Sequence, residues 1–549
     1  MYIQSLISPA LRVVLPLAFL STVYLYLYPV VHGCAFPSTD GSLVASFRDT
    51  VAQHFSSEHH DTTSPGSSLA PFRLLVLADP QIEGDSSLPK PEDTLVPRLR
   101  ARWDSVVLAE KEDRTTVALA ALWTIISHDV PQFLESIRKR IDLFGNDFYL
   151  QHIYRTLNWW SRPSHVTVLG DLIGSQWVSD DEFEWRGWRY WNRVFAGAEK
   201  VDESIITPEE EQKETIFAID DEDWKKRIIN IAGNHDIGYA GDISEAKIER
   251  FERMFGKVNW DIRFEYPTSS NETEDAKPPS LHMVVLNSMM LDTPALSTDI
   301  QSATYAYLNS VITHRSRPVE DKTSFSLTLT HLPLFKKAGV CVDPPHFDFW
   351  PNVDSGGVFH PHGLREQNHL SRHASEPGLL ESIYGMKGDV AAAGLGKGRS
   401  GLILNGHDHE GCDTFHYIPV DGTWNSSAEP IQERKTRWKV SRWTEVKAER
   451  TYTGVREVTL RSMMGEFGGN AGLLSAWFDF GAGEWRYSIQ TCKLGTQYIW
   501  WAVHILDLIA GALVVAAAVS SMISERQRQA QSSDSQKVTA QKANKDKKA

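Results

Sequence analysis

The stretch "LILNGHDHE", residues 402–410, shows how this chain places its polar side chains. Three apolar residues followed by Asn405 predict a strand, which ends at Gly406. His407 and His409 then occupy alternate positions, so an extended backbone points both imidazoles to the same side. The two histidines follow the apolar run rather than interrupting it, so a core role does not suit them. We therefore treat them as candidate ligands.

Four earlier stretches repeat this design of an apolar run followed by polar residues. They are "FRLLVLADP" (72–80), "HVTVLGDLIGS" (165–175), "RIINIAGNHDIG" (227–238) and "SFSLTLTHLP" (324–333). The polar residues after these runs are Asp79, Gln81, Asp171, Asn234, His235, Asp236 and His331. Predicted strands alternate with helices up to about residue 413, and a β-rich segment follows. The pattern predicts an α/β (α+β) layered fold, with β-sheets flanked by helices and polar residues gathered at strand ends, where open sheets bind ligands.

These polar residues supply oxygen and nitrogen donors and no thiolate. Structural zinc sites are usually rich in Cys, so a site of that kind is not expected. Carboxylate, amide and imidazole donors together suit two divalent ions such as Mn²⁺, Fe²⁺ or Zn²⁺.

Two hydrophobic segments, 11–32 and 498–523, are each long enough to cross a bilayer as a helix. The first has a cleaved signal peptide as its alternative interpretation. The second opens with an aromatic belt and contains a single acid, Asp507, which must lie near the interface, be protonated or have a partner. We expect two transmembrane helices.

Charge predicts the orientation of these segments. The tail after residue 523 carries seven Lys or Arg and three acids, whereas the whole chain has a net charge of -14. The positive-inside rule then places both termini in the cytosol and the acidic domain in the lumen. The final "KDKKA" resembles a K-x-K-x-x retrieval signal of the endoplasmic reticulum, with a generic lysine-rich tail as the alternative. The acidic balance argues against nucleic acid as a partner.

The expected organisation has six parts: a cytosolic N-terminus (1–10), a first span (11–32), a lumenal linker (33–70), a lumenal domain (71–495), a second span (498–523) and a basic cytosolic tail (524–549). An oxidising lumen permits disulfides, and pairing by location gives Cys34–Cys492 and Cys341–Cys412, one of three connectivities. Two sequons, at Asn271 and Asn425, would carry glycans in that compartment.

The blocks "ADPQ", "GDLIG", "GNHD", "THLP" and "GHDH" occur in the order typical of the calcineurin-like metallophosphoesterase superfamily, which this chain resembles from residue 79 to residue 409. The resemblance implies a metallophosphoesterase fold and two metal sites. Asp79 and His409, with Gln81, would bind the first ion; Asn234, His331 and His407 would bind the second; Asp171 would bridge them. His235 would act as general acid, with Asp236 orienting its ring.

Gln81 departs from the superfamily, which commonly has His at this position. An amide oxygen is a weaker ligand than imidazole, so the first site is expected to bind its ion less tightly. Glu83 and Asp85 lie close enough in sequence to compensate. Alternatively, Gln81 lies behind the ligands, or the site is degenerate and non-catalytic.

The "ADPQIEGD" block together with a C-terminal span resembles the fungal branch that trims glycosylphosphatidylinositol (GPI) anchors. The resemblance implies a phosphodiesterase that uses Mn²⁺ in the endoplasmic reticulum membrane and removes ethanolamine phosphate from a mannose of the GPI glycan. Its partners would be GPI lipid or GPI-anchored proteins, with export cargo receptors and coat proteins recognising the tail. The alternatives are a lumenal phosphatase or phosphodiesterase for another substrate, and a non-catalytic trafficking adaptor.

The sequence also predicts the structure or role of three further segments. Residues 114–145 predict an amphipathic helix with a break or start at Pro131. The Trp-rich stretch 183–195 predicts a helix whose aromatic residues pack in the core. The long stretch 341–373 could cover the site as a lid, with His360 and Arg365 as candidate phosphate contacts.

Overall fold

The computed structural model describes residues 2–55, 62–63, 67–84, 88–207, 215–267, 277–315, 317–341, 345–386, 392–396, 398–418, 438–446 and 453–546. The chain forms two compact units, one of Gly33–Gly495 and the other of the two terminal segments, Met1–His32 with Thr496–Ala549.

The α-helices are α1 (Tyr2–Tyr26), α2 (Tyr28–Val31), α3 (Leu43–Phe55), α4 (Leu95–Leu108), α5 (Arg114–Thr124), α6 (Val130–Ser161), α7 (Asp180–Arg189), α8 (Glu203–Ile206), α9 (Asn234–Ile237), α10 (Glu245–Phe255), α11 (Thr298–Ser310) and α12 (Gln497–Asp546). The strands are β1 (Phe72–Leu77), β2 (His165–Val168), β3 (Glu199–Lys200), β4 (Ile216–Ala218), β5 (Arg227–Asn230), β6 (Trp260–Glu265), β7 (Ser280–Val285), β8 (Ser324–Leu329), β9 (Phe347–Phe349), β10 (Leu364–Gln367), β11 (Gly401–Asn405), β12 (Cys412–Ile418), β13 (Lys439–Arg442), β14 (Thr453–Thr459), β15 (Asn470–Asp479) and β16 (Glu484–Lys493).

Two large mixed sheets form the larger unit. One has the order β16-β15-β1-β2-β5-β3 and the other β13-β12-β14-β11-β8-β7-β6-β4. β1, β2 and β5 run parallel, as do β7, β8 and β11. Apolar side chains of both sheets, among them Leu74, Ile229, Leu327 and Leu404, share one fully buried core. The predicted layered α/β architecture, with sheets flanked by helices, is confirmed.

The number of apolar helices differs from the expected two. Within the described residues, three helices are long and apolar enough to cross a membrane: Ile7–Tyr26, Arg114–Ser161 and Gln497–Lys537. The third candidate arises because α5 continues into α6 through one π-helical turn, Ile125–Asp129. Pro131 directly follows this π-helical turn, at the second position of α6, and the helix continues past it.

In the terminal unit, α1 and α12 share a polar contact. The Thr22 hydroxyl donates to the Asp507 carboxylate, at 2.8 Å from Oδ2. Of the three possibilities open for this acid in an apolar segment, the structure shows a partnered carboxylate.

Two local features differ from what the sequence led us to expect. The segment expected as a linker contains α3, in which Ser46 and Thr50 are buried. In the Trp-rich helix, Phe183 and Tyr190 are buried as predicted, but Trp185 and Trp188 are exposed and stack on each other with ring centroids 5.0 Å apart. These two rings face outward because buried Phe and Tyr already fill the inner side of the helix.

Candidate metal centre

The predicted site residues come together at the carboxyl edge of both sheets. Asp79 follows β1, Asp171 follows β2, and Asn234 opens α9 just after β5. His331 follows β8, and His407 and His409 follow the neighbouring strand β11. Because β1, β2 and β5 are adjacent parallel strands, as are β8 and β11, the loops that leave them converge on one place.

The backbone at this place is unusual. Asp79, Gln81, Asp171 and His407 all have positive φ, between 41° and 72°. In the described part of the chain, only Arg162 and His362 share this feature among residues other than Gly. Left-handed backbone is costly for such residues and concentrates at functional sites. The surrounding fold therefore forces these side chains into one cluster.

Two glycines allow the loops to approach closely. A Cβ at Gly406 would lie 2.7 Å from the Leu169 carbonyl and 3.0 Å from both carboxylate oxygens of Asp79. A Cβ at Gly233 would clash with the backbone nitrogen and Oδ1 of Asp171. The Gly in "GNHD" and "GHDH" is therefore required by packing against the two acids.

The first group of candidate ligands consists of Asp79, Asp171 and His409, whose donor atoms all lie within 4.8 Å of one another. The Gln81 amide lies beside this group, with Nε2 3.1 Å from Asp171 Oδ2 and 3.1 Å from His409 Nε2. A 180° turn of that amide would present its oxygen to the same space. Glu83 does not complete the group, because its carboxylate pairs with Lys139 at 2.8 Å, and Asp85 lies outside the described residues.

The second group consists of Asp171, His331 and His407, again within 4.8 Å. Asn234 joins it, since its Oδ1 lies 3.0 Å from His331 Nε2 and 2.9 Å from His407 Nδ1. Backbone carbonyls fix the two rings: Leu169 accepts from His331 Nδ1 at 2.7 Å and Gln367 from His407 Nε2 at 2.9 Å. Such outer contacts orient metal-binding imidazoles, and Gln367 was not predicted.

The two groups share Asp171, the residue expected to bridge two ions. The Asp79 Oδ2 atom is buried and has no hydrogen-bond partner in the structure. A buried, unpaired carboxylate oxygen is costly unless a cation neutralises it. This orphaned oxygen and the mixed O and N donor set both fit a pair of divalent cations.

Burial and neighbouring charges set the protonation of these groups. Burial lowers the pKa of His407 to about 3 and lowers the pKa of His331, which leaves both rings neutral, the form that binds metals. Burial disfavours the Asp171 anion, but attraction to His331, His235 and His407 in their charged forms, together with the His235 backbone N–H, outweighs burial and lowers the pKa of Asp171 to about 2. Burial, reinforced by Asp171, raises the pKa of Asp79 well above its ordinary range.

His235 lies at the mouth of the site. Its backbone N–H donates to Asp171 Oδ1 at 2.8 Å, and its ring Nε2 lies 3.8 Å from Asp171 Oδ2. The ring is partly exposed, so it can meet a substrate.

The expected role of Asp236 was wrong. Its carboxylate accepts from the backbone N–H groups of Ile173 and Gly233, at 3.0 and 2.8 Å, and does not contact the His235 ring, whose Nδ1 has no partner in the structure. Asp236 therefore fixes the turn that carries Asn234 and His235.

An open cleft of about 480 Å³ leads to the ligands. Besides several candidate ligands, His235 and the predicted phosphate contact Arg365, it is lined by Trp177, Tyr239, Lys336, Trp350 and Glu366. Arg365 comes from the stretch expected to cover the site, and its guanidinium pairs with Asp348 at 3.4 Å and lies over the Trp350 ring. His360 is not among the lining residues. The aromatic wall was not predicted, because its members are far apart in sequence.

A buried ionic cluster lies behind the "GHDH" loop. Glu457 of β14 is fully buried and accepts from Asn405 Nδ2 at 2.7 Å, from the Leu334 N–H at 2.7 Å, and from the Lys336 and His416 side chains. Burial by itself would raise the pKa of Glu457, but Lys336 and His416 lower it far below its ordinary range. The ionised carboxylate thereby holds together the loops that follow β8 and β11.

Two disulfides are present, Cys34–Cys492 and Cys341–Cys412, with Cα atoms 5.7 and 6.1 Å apart. These are the pairs that their locations suggested. The predicted glycosylation positions, Asn271 and Asn425, lie outside the described residues.

The chain is similar to several known proteins, although no family model matches it. Protein TED1 of Saccharomyces cerevisiae is 31% identical over 407 residues, which cover 67% of this chain and 76% of TED1. An uncharacterised protein of Schizosaccharomyces pombe is 28% identical, covering 66% of this chain and 78% of that protein. Metallophosphoesterase 1 of Xenopus laevis is 27% identical over 158 residues, 29% of this chain and 32% of its own length. The extent of the match to TED1, together with the metallophosphoesterase matches, places the chain in the metallophosphoesterase family, on the branch that contains TED1.

Proposed function

We propose that this protein is a dinuclear-metal phosphodiesterase of the endoplasmic reticulum membrane. On this proposal it removes ethanolamine phosphate from a mannose of the GPI glycan. The single observation that carries the enzymatic part is the pair of three-ligand groups that share Asp171, with the His235 ring beside them. Two divalent ions bound by these groups would suit displacement at a phosphoryl centre.

We propose the following roles for the residues of the site. Asp79, His409 and Gln81 would hold one divalent ion, and Asn234, His331 and His407 the other, with Asp171 between them. When bound, the ions supply Lewis-acid stabilisation of phosphate charge and a nucleophile at neutral pH. The His235 ring carries a proton on one of its nitrogens at the mouth of the site. From there the ring can donate that proton to the leaving sugar oxygen. Asp236 keeps His235 in place through the backbone turn rather than through the ring.

The residues that line the cleft support the proposal of a glycan substrate. Trp177 and Trp350 meet edge to face in its wall with centroids 5.9 Å apart, and sugar rings present apolar faces that pack on such surfaces. Glu366 and Asp408 also line the cleft and are acids that suit the ammonium group of ethanolamine phosphate. The choice of GPI as substrate follows the resemblance of this chain to the fungal GPI-trimming branch, to which the match with TED1 adds support.

The proposed location follows from the apolar helices and the tail. We propose that α1 and α12 span the membrane, with the larger unit in the lumen and both termini in the cytosol. The hydrogen bond between Thr22 and Asp507 supports retention of the first apolar helix in the mature chain. Export cargo receptors and coat proteins are proposed to recognise the basic tail, and Mn²⁺ is proposed as the resident ion.

The test is to incubate the purified full-length chain with GPI that carries ethanolamine phosphates, with and without Mn²⁺, and to measure the glycan mass. We expect loss of ethanolamine phosphate only with the ion. Unchanged mass together with hydrolysis of a simple aryl phosphodiester would reject the substrate but retain a phosphoesterase. No hydrolysis of either compound by chain with bound ions would favour the non-catalytic adaptor.

A further inference from the structure

A long apolar stripe runs along α5, the π-helical turn and α6. Its residues recur every three or four positions, which places them on one helical face: Leu119, Leu122, Trp123, Ile126, Val130, Phe133, Leu134, Ile137, Ile141 and Phe144. All of them are exposed; Trp123 is 70% accessible and Leu134 58%. At 1.5 Å per residue the stripe is about 38 Å long. A continuous apolar surface of this size marks a contact with a partner or a membrane.

The pairing of β1 with β2 excludes a single crossing of the membrane by the α5–α6 helix. β1 precedes the helix and β2 follows it, and the two strands pair side by side, with Leu74 opposite His165 and Leu77 opposite Val168. One crossing would leave these strands on opposite sides of the bilayer. Only an even number of crossings, or none, is compatible with this sheet.

A double crossing with α4 as the second leg is excluded as well. α4 has 14 residues, fewer than the roughly 20 that a span requires, and it carries Arg98, Arg100 and Arg102. Two of these arginines pair with the buried Asp129 carboxylate between α5 and α6, Arg98 at 3.5 Å and Arg102 at 3.3 Å. These ion pairs hold α4 against the part of the α5–α6 helix that carries Asp129, and the apolar stripe remains exposed.

The C-terminal half of α6 is hydrogen-bonded to both points where the larger unit continues into the terminal helices. The Trp160 indole of α6 donates to the carbonyl of Cys34, and the Tyr149 hydroxyl of α6 donates to the carbonyl of Gly495. α2, which follows α1, ends at Val31, and α12 starts at Gln497. If α1 and α12 span the bilayer, chain connectivity alone keeps this end of α6 within a few residues of its surface.

We propose that the exposed stripe of α5–α6 lies in the plane of the lumenal leaflet, as an interfacial helix in contact with lipid. Interfacial helices of this kind bury their apolar face about 5–10 Å deep. The polar residues of α5 and α6 that lie off the stripe then face the larger unit and the lipid headgroups. This proposal rests on the membrane anchorage proposed above and is independent of catalysis.

An ion pair connects the α5–α6 helix to the loop of the candidate metal centre. Lys139 of α6 pairs with Glu83, two residues beyond Gln81. The lipid-bound helix therefore contacts the loop that carries a candidate ligand of the first metal group, and on the proposed function it would hold the cleft near a lipid-linked substrate.

Site-directed spin labelling tests the proposal. All four cysteines of the chain are in disulfides, so one introduced cysteine gives one label. The full-length Leu122→Cys and Leu134→Cys variants, each with a nitroxide, are reconstituted in phosphatidylcholine vesicles. Glu135→Cys is the matched control, since it neighbours Leu134 but lies off the stripe and is exposed. Accessibility to dissolved oxygen and to a water-soluble nickel chelate is then compared.

We expect oxygen to exceed the nickel chelate at positions 122 and 134, with the reverse at position 135. High nickel accessibility at all three positions would show a stripe in water and overturn the proposal. Low accessibility to both reagents at 122 and 134 would show a protein cover, such as a second copy, and would overturn it as well. Quenching of Trp123 by brominated lipid, taken as the difference between the unlabelled chain and Trp123→Phe, provides a second measurement without a label. No substrate is involved, so either result leaves the proposed enzymatic activity to be tested separately.

Discussion

The side-chain amide nitrogen of Gln81 lies 3.1 Å from the imidazole Nε2 of His409. The candidate ligand Gln81, which departs from the superfamily pattern, therefore faces the first metal group. Its φ of 41° belongs to the left-handed region, which His also tolerates better than most residues.

We expect Gln81→His to bind the first ion more tightly, because imidazole is a stronger ligand than an amide oxygen. The gain should be about tenfold in affinity, the scale of changes close to a metal site. Mn²⁺ titration of the full-length chain measures it, with Gln81→Ala as the comparison. Equal affinity in both variants would show that the side chain at this position does not bind the ion.

We expect His235→Ala to lose turnover while keeping its metal ions. The ring is placed to move a proton and is not a member of either ligand group, so the rate should fall about 100-fold or more. Hydrolysis rate and metal content per chain are measured together. His346→Ala, an exposed histidine outside the cleft lining, is the control. Loss of metal in His235→Ala would assign the ring to the ligands instead.

We expect Glu457→Gln to destabilise the larger unit by about 3–5 kcal/mol, because it leaves the Lys336 ammonium buried without its counter-ion. The Glu457 pKa is lowered in the fold, so its contribution is complete above the unfolded value of about 4.3 and is lost as the pH falls further. Unfolding midpoints of wild type and variant should therefore differ at pH 7 and approach each other in acid. Exposed Glu445→Gln is the control, and a difference that grows in acid would contradict the assignment.

We expect the double variant Cys341→Ser with Cys412→Ser to lose both stability and metal retention. The disulfide closes a loop of 71 residues, worth about 4 kcal/mol, and Cys412 lies three residues after His409. The matched control is the pair Cys34→Ser with Cys492→Ser, which should lower the unfolding temperature but leave metal affinity intact. Equal metal loss in both pairs would show a general unfolding effect rather than a local one.

Much of the site could be predicted because its chemistry follows the strand ends. Asp79, Asp171, Asn234, His331, His407 and His409 are each a few residues past a buried strand, and their residue types match the family blocks in order. Parallel neighbours within each sheet bring the candidate ligands of that sheet together, and the packing of the two sheets on one core then joins the two sets.

What could not be predicted depends on contacts that sequence spacing does not reveal. Asp236 neighbours His235 but turns to the backbone of Ile173, which is 63 residues earlier. Glu457 is one acid among many in the sequence and becomes important only because Asn405 and Lys336 meet it. The stripe on α5–α6 has the apolar spacing of a core helix, and only the fold shows that nothing in the described chain covers it.

The disulfide between Cys34 and Cys492 joins the first and last few residues of the larger unit across 458 positions of sequence. Any mechanical load between the two terminal segments can thus pass through one covalent bond, without being carried by the sheets. A pull on either terminal segment would therefore leave the spacing of the candidate metal ligands undisturbed. A protease cut in an exposed loop of the larger unit would also leave both terminal segments in one molecule.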